Sequence, residues 1–412
     1  MDEAAKVYIK SGLRGALTLS TMDDTKVPDS MRADAAESIS RLNEYYNTWN
    51  GSGDGRLSVY YSLRSLISCS EELIRGVFEA ASERSAMVEA HMNEYPNEIN
   101  YHLERYQMRP MEYLDSLGVL SDHFVSAHSL LLSEHEIELM AANGVKAVHC
   151  PFSNCGKGVP NTPRLLESGI SVAFGTDGTA HGGMSLFQEM KIFRSIMNIR
   201  YGVPESNPVI MPAETILSMA LEGGSCALGL HNKSGQLKEG FCADLIAVDL
   251  DQPHLYPTNN LVHTLVESVL SQDVIHSIAA GKFLMKNREI LTLDEEKYAL
   301  KRIPGLRKTI LWRTNYVTGN SCNEPDCRLP GRSLRHRRIP ASHCIHWLFR
   351  HGFKPVSCLE LYLFSHLGNH RFLPLSEAGT DGSKVWCSGG NRKYRGGCAR
   401  RQAEFYDSSD YR

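Results

Sequence analysis

The chain contains no uninterrupted apolar run of about 18 residues, which argues against a helical membrane span. Its opening residues, Met1-Asp2-Glu3-Ala4-Ala5-Lys6, have neither the basic stretch nor the apolar core of a secretory leader, so the expected location is the cytoplasm. Cysteine is scarce in the first 315 residues. Cys69, Cys150, Cys155, Cys226 and Cys242 follow no framework spacing and suit a reducing compartment. Internal repeats and low-complexity tracts are absent from this body. The basic C-terminal tail lacks ordered basic stripes with interleaved aromatics, so no nucleic-acid partner is expected. One more absence bears on the chemistry: no histidine precedes His91.

What is present is ordinary for a folded protein of this size. The 412 residues can hold one large domain and a small one, with 42% hydrophobic and 22% charged residues. The net charge of −3 conceals two unlike parts. Residues 316–412 carry 15 Lys and Arg against 8 Asp and Glu, whereas residues 1–315 carry 29 against 39. The last 97 residues also hold six of the 11 cysteines and lose readable periodicity. Within them, Cys322-x4-Cys327-x15-His343-x2-His346 approaches a two-Cys, two-His zinc pattern, but the His spacing is too short and the linker too long. We read residues 301–412 as a linker and a basic, cysteine-rich tail that is non-native or disordered, such as a shifted reading frame would give.

The body alternates strand-like and helical segments, which argues for parallel strands joined by crossover helices. Strands are expected at 13–19 and 57–63, and in the apolar runs ending before His91, at Ala127, at Val148 and at Phe174. Helices are expected at 33–49, 70–82, 97–117, 133–142, 162–168, 186–200 and 212–228. A buried strand at 243–249 with segments at 274–279 and 283–285 indicates a small β-domain.

Four short stretches sit at the C-terminal ends of the strands: His91-Met92-Asn93-Glu94, Ala127-His128-Ser129, Val148-His149-Cys150-Pro151 with Ser153-Asn154, and Gly175-Thr176-Asp177-Gly178. In a (β/α)8 barrel the strand ends aim side chains at the active site. Imidazoles and carboxylates delivered there suit a divalent metal that activates water. Bland readings stand beside this one. A lone strand-end His is often packed or solvent-facing, Glu94 can be a helix-start carboxylate favoured by the dipole, and Asp177 can be an N-cap.

The order and local sequence of these motifs resemble the amidohydrolase superfamily, in the branch of metal-dependent deaminases and chlorohydrolases. The resemblance covers about residues 5–300. It implies a TIM-type α/β barrel represented by strands three to eight, over residues 1–230, and the C-terminal part of a flanking β-domain over 231–300. The family's first strand carries a His-x-His pair that this sequence lacks, so the chain is expected to be truncated at its N-terminus and to hold metal weakly.

By the same resemblance His91 and Asp177 are ligands of one divalent metal, zinc or iron. Glu94 is the acid–base group at a substrate ring nitrogen, His128 holds the hydrolytic water, and Asp177 takes its proton. His149, Asn154 and Arg64 would contact substrate together with Glu94, and His181 would line the pocket. Arg64 lies in a segment resembling the one where guanine deaminase reads its purine. The implied reaction is hydrolysis of a non-peptide carbon–nitrogen bond, the deamination of a small purine-like or pyrimidine-like ring. Triazine-type dechlorination and a catalytically incomplete chain are the alternatives, and a homo-oligomer is left open.

Overall fold

A computed structural model of the protein describes residues 2–28, 32–178 and 184–294. The expected tail and His181 lie outside these residues. The chain divides into two units, 1–302 and 303–412, and the described residues all belong to the first.

Six strands form one parallel sheet in sequence order: β1 (Gly15–Thr18), β2 (Leu57–Ser65), β3 (Val88–Met92), β4 (Phe124–His128), β5 (Lys146–His149) and β6 (Val172–Phe174). The sheet curls as an incomplete barrel, as expected. Alternate residues of each strand face opposite sides. Those facing the helices, among them Leu63, Val88, Ala90, Met92, Phe124 and Ala147, join a large buried cluster with Leu73, Val77, Met111, Leu114 and Ile137. The inner face is thinner: Tyr60, Met87, Val125, Ala173 and Ala227 form a second small cluster, backed by Ala16 and Val148.

Local chemistry sets the helix starts. Asp34 accepts from Glu37 N at the start of helix Ala35–Trp49, and Ser70 accepts from Leu73 N at the start of helix Glu71–Ser82. Ser133 and Glu136 form a reciprocal capping box on helix Glu134–Asn143. The first two of these helices approach closely, because a Cβ on Gly76 would lie 2.3 Å from Ile39 Cδ1.

Two expected helices are built differently. The segment expected at 97–117 is two helices, Pro96–Tyr106 and Pro110–Ser116. Gln107 ends the first in the left-handed region, and Pro110 lacks an amide hydrogen and disfavours helix before it. The stretch expected at 212–228 passes through a widened π-helical turn, Met219–Gly223, between helices Ala213–Ser218 and Gly224–Ala227. That turn lies against β6. Tyr60 reaches the helix that follows it across the inner face and donates to Ala227 O at 3.3 Å.

The small domain is an antiparallel sheet in the order β10 (Glu289–Ile290), β9 (Lys282–Lys286), β8 (Val274–Ala279) and β7 (Leu245–Val248). Asp244 joins it to the barrel. Its carboxylate accepts from Arg14 Nε at 2.5 Å and from Ala280 N at 2.8 Å.

The contact at β6 generates a paired test. A Cβ on Gly223 would stand 2.1 Å from Val172 O, a backbone atom, whereas a Cβ on Gly224 meets nothing within 4 Å. Gly223→Ala should lower stability by at least about 1–3 kcal/mol through overpacking. Gly224→Ala, at a helical position, should raise it by up to about 1 kcal/mol. Denaturant unfolding of the two variants measures the contrast, and equal midpoints would refute the close approach.

Candidate active site

Parallel pairing brings the C-terminal ends of β3 to β6 to one rim, and the backbone there is unusual. Asn93, His128, Ser129 and Asp177 all adopt positive φ, at 51°, 72°, 52° and 56°. Such conformations cost on the order of 1 kcal/mol or more each and persist where surrounding structure enforces them. Around Asn93, buried carboxylates do the enforcing. Glu98, at the third position of helix Pro96–Tyr106, reaches back to accept from Asn93 N at 3.0 Å and Glu94 N at 2.9 Å. Burial pushes its carboxyl up to about 7 against the pull of those two amides. Glu136, wholly buried, accepts from Asn93 Nδ2, Met111 N, Ser133 N and Arg109 Nε. Arg109 in turn donates to Leu131 O.

On this scaffold Glu94, His128 and Asp177 converge. Each offers a donor or acceptor atom, and these atoms lie within 4.8 Å of one another. His128 Nε2 is 3.6 Å from Glu94 Oε1. Ser153 donates to Asp177 Oδ2 at 2.5 Å and Gly178 N donates to Oδ1 at 2.6 Å. Burial would raise the Asp177 carboxyl, but the bonds from Ser153 and Gly178, with His128 and Lys157 nearby, bring it down to about 2. It is therefore an anion at neutral pH.

His91 stands beside this trio. Its ring centroid is 5.2 Å from that of His128, and its Nδ1 is buried without a hydrogen-bond partner, 3.7 Å from Glu89 Oε1. Burial, reinforced by His128, lowers its pKa to about 4, so it is neutral with a lone pair free. A neutral imidazole with an orphaned nitrogen, an anionic Asp177 and the Glu94 and His128 donors form a set suited to a divalent ion.

The other expected residues take different places. Asn154 lies beneath His128. Its amide is satisfied when its nitrogen donates to His128 Nδ1 at 3.0 Å and to Cys150 O at 3.3 Å, and its oxygen accepts from Cys150 N at 3.2 Å. A neutral His128 held this way carries its proton on Nε2, the nitrogen facing Glu94. His149 is fully buried behind the rim, with Nδ1 2.8 Å from His128 O and its ring stacked on Phe193. Burial lowers it to about 4. Arg64 is exposed near the end of β2.

Two residues of the site escape the motifs. Glu98 was signalled by its place two residues after Pro96, where a helix-start carboxylate reaches back. Lys157, which donates to Glu94 Oε1 and Ser153 Oγ, lies in a Gly-Lys-Gly loop with no periodicity to mark it.

The model of the Amidohydrolase family matches residues 2–291. The chain belongs to the amidohydrolase family. Among its relatives is the 5-methylthioadenosine/S-adenosylhomocysteine deaminase of Dictyoglomus thermophilum, 33% identical over 300 residues that make up 72% of this chain and 68% of the relative. The 5'-deoxyadenosine deaminase of Methanosarcina acetivorans is 34% identical over 72% of this chain and 67% of its own. Among solved structures, a zinc-bound adenosine deaminase from Xanthomonas campestris aligns with a TM-score of 0.67 and 26% identity, covering 77% of this chain and 69% of that one. This amidohydrolase thus shares its fold with a zinc-bound deaminase, and its donor set suits a divalent metal.

The Asn154 contact yields a direct test. In metal-free protein, imidazole nitrogen shifts should report His128 as the Nε2–H tautomer. Asn154→Asp, which can only accept, should convert it to Nδ1–H. Asn154→Ala should instead cost about 1–3 kcal/mol by leaving Nδ1 buried and unpaired. An unchanged tautomer in Asn154→Asp would show that this amide does not govern the imidazole.

Proposed function

We propose that this amidohydrolase removes the amino group from a small purine-like heterocycle by metal-assisted hydrolysis. The observation that carries the reading is the convergence of Glu94, His128 and Asp177 within 4.8 Å at the strand ends. Similarity to deaminases of methylthioadenosine, S-adenosylhomocysteine and 5'-deoxyadenosine supports an adenine nucleoside as the substrate class. The reading places the reaction in the cytoplasm.

His91 and Asp177 would hold one divalent ion, zinc by analogy with the zinc-bound neighbour. When bound, such an ion makes water acidic enough to act near neutral pH. The remaining work is proton traffic by the chain itself. The oxygen of water adds to the ring carbon that bears the amine. One of its protons passes through Glu94 to the adjacent ring nitrogen, which makes that carbon electrophilic. The other passes through Asp177 to the amine, which leaves as ammonia while the carbon becomes a carbonyl. His128, with its proton on Nε2, donates to the oxygen that develops charge. Asn154 acts through His128 by fixing that tautomer, and His149 supports the same imidazole through the His128 carbonyl. Arg64 supplies a cation on the open side of the rim for the ring or its substituent.

Glu94→Gln should reduce ammonia release on the order of 10²-fold or more, the usual scale for an acid–base group, with metal content unchanged. The measurement pairs elemental analysis with ammonia release from 5'-methylthioadenosine, S-adenosylhomocysteine, 5'-deoxyadenosine and a chlorinated triazine. Undiminished turnover by Glu94→Gln would overturn the proton relay. Chloride release in preference to ammonia would move the substrate class to the triazines.

A further inference from the structure

The carboxylates of Glu94 and Asp177 share one small space and repel each other there. A third charged group lies among them. The Lys157 ammonium donates to Glu94 Oε1 at 2.5 Å and to Ser153 Oγ at 2.9 Å, and stands 3.7 Å from Asp177 Oδ2. Ser153 is itself the donor to Asp177. The ammonium also lies 5.3 Å from the centroid of the Tyr95 ring, a cation–π contact, and the Lys157 side chain is only 10% exposed. Among the described residues, the polar contacts of this cation go to Glu94, Ser153 and Asp177, all at the site. Lysine is a compact charge on a flexible four-carbon stem, able to leave one seat without unfolding its backbone. A divalent ion held at Asp177 would bring a second cation beside the same two carboxylates and oppose the ammonium there.

We propose that Lys157 is a tethered counter-ion that holds Glu94 and Asp177 together in the metal-free protein and is displaced from Glu94 when a divalent ion binds. The inference rests on the metal-site reading above. Its thermodynamic content is a negative coupling between two cations. The ion's affinity is reduced by the work of moving the ammonium, and in return the site stays assembled when the ion is absent.

The test uses the full chain, stripped with a chelator, as wild type, Lys157→Met and Lys157→Arg. Zinc affinity is measured by competition with a chromophoric chelator, and thermal midpoints are recorded with and without zinc. Lys157→Met should melt lower than wild type in chelator and bind zinc on the order of tenfold tighter, within the usual range for coupled ligands. Its midpoint should also rise more on adding zinc. Lys157→Arg should keep the wild-type midpoint in chelator and gain no affinity. In a Glu94→Gln background, where the ammonium has lost its charged anchor, the affinity gain from Lys157→Met should largely disappear. Equal or weaker zinc binding by Lys157→Met overturns the proposal, as does an absence of zinc binding in every variant. A midpoint change of the same size with and without zinc also overturns it, because that is the signature of a purely structural lysine. Ammonia release is not among the readouts. Failed deamination with the expected zinc behaviour would remove the deaminase reading and leave the counter-ion standing.

Discussion

The parallel ladder of hydrogen bonds from β1 to β6 is the constraint from which the rest follows. Because all six strands run the same way, every C-terminal end lies on one rim. Residues separated by 86 positions, from His91 to Asp177, meet there without any local sequence contact. A parallel sheet also needs a crossover between successive strands. The chain supplies helices whose apolar faces fill the outer layer around Leu73, Val77 and Ile137. The inner layer holds the smaller cluster around Tyr60 and Met87 together with polar groups, and Ser62 donates to Glu89 beneath His91.

Buried carboxylates hold the Asn93–Glu94 turn of the rim in its strained shape. Glu98 and Glu136 do not face the reacting groups. They accept backbone amides and the Asn93 side chain, and so fix the turn that carries Glu94. Two carboxyl groups removed from water would be costly alone, and here each accepts from several donors. Arg109 completes the arrangement by pairing with Glu136. The division of labour is clear: one tier of acids organises backbone, and a second tier, Glu94 and Asp177, is available for chemistry.

Much of this was legible from residues alone. Alternating apolar runs and helical periods gave the six strands within a few residues, and the polar stretches after them marked the rim. His128, Asp177 and Glu94 stood out as candidates because each lies within four residues of the end of an apolar run. Helix boundaries were less so, since periodicity runs smoothly across 107–110 while Pro110 divides the backbone. His149 illustrates a different limit. Its strand-end position matches that of a site residue, yet the register turns its ring onto Phe193 and away from the rim opening. Lys157 is the clearest case of what sequence conceals. Its partners lie 63 and 20 residues away, and only the fold brings Glu94 and Asp177 to it.

The left-handed backbone at Asn93, His128, Ser129 and Asp177 also restricts which side chains the rim can carry. Asn, Asp and His tolerate that conformation better than most residues, and β-branched residues tolerate it poorly. The rim therefore draws on a narrow alphabet, in which the residues that fit the backbone are also those that can hold metals and move protons. New chemistry can enter such a rim most easily through exchanges within that alphabet, or through the loop around Lys157, where the backbone makes no such demand. A valine or isoleucine at one of the four positions would disturb conformation and chemistry together, so the lineage's room for variation at this edge is shaped by dihedral angles as much as by reactivity.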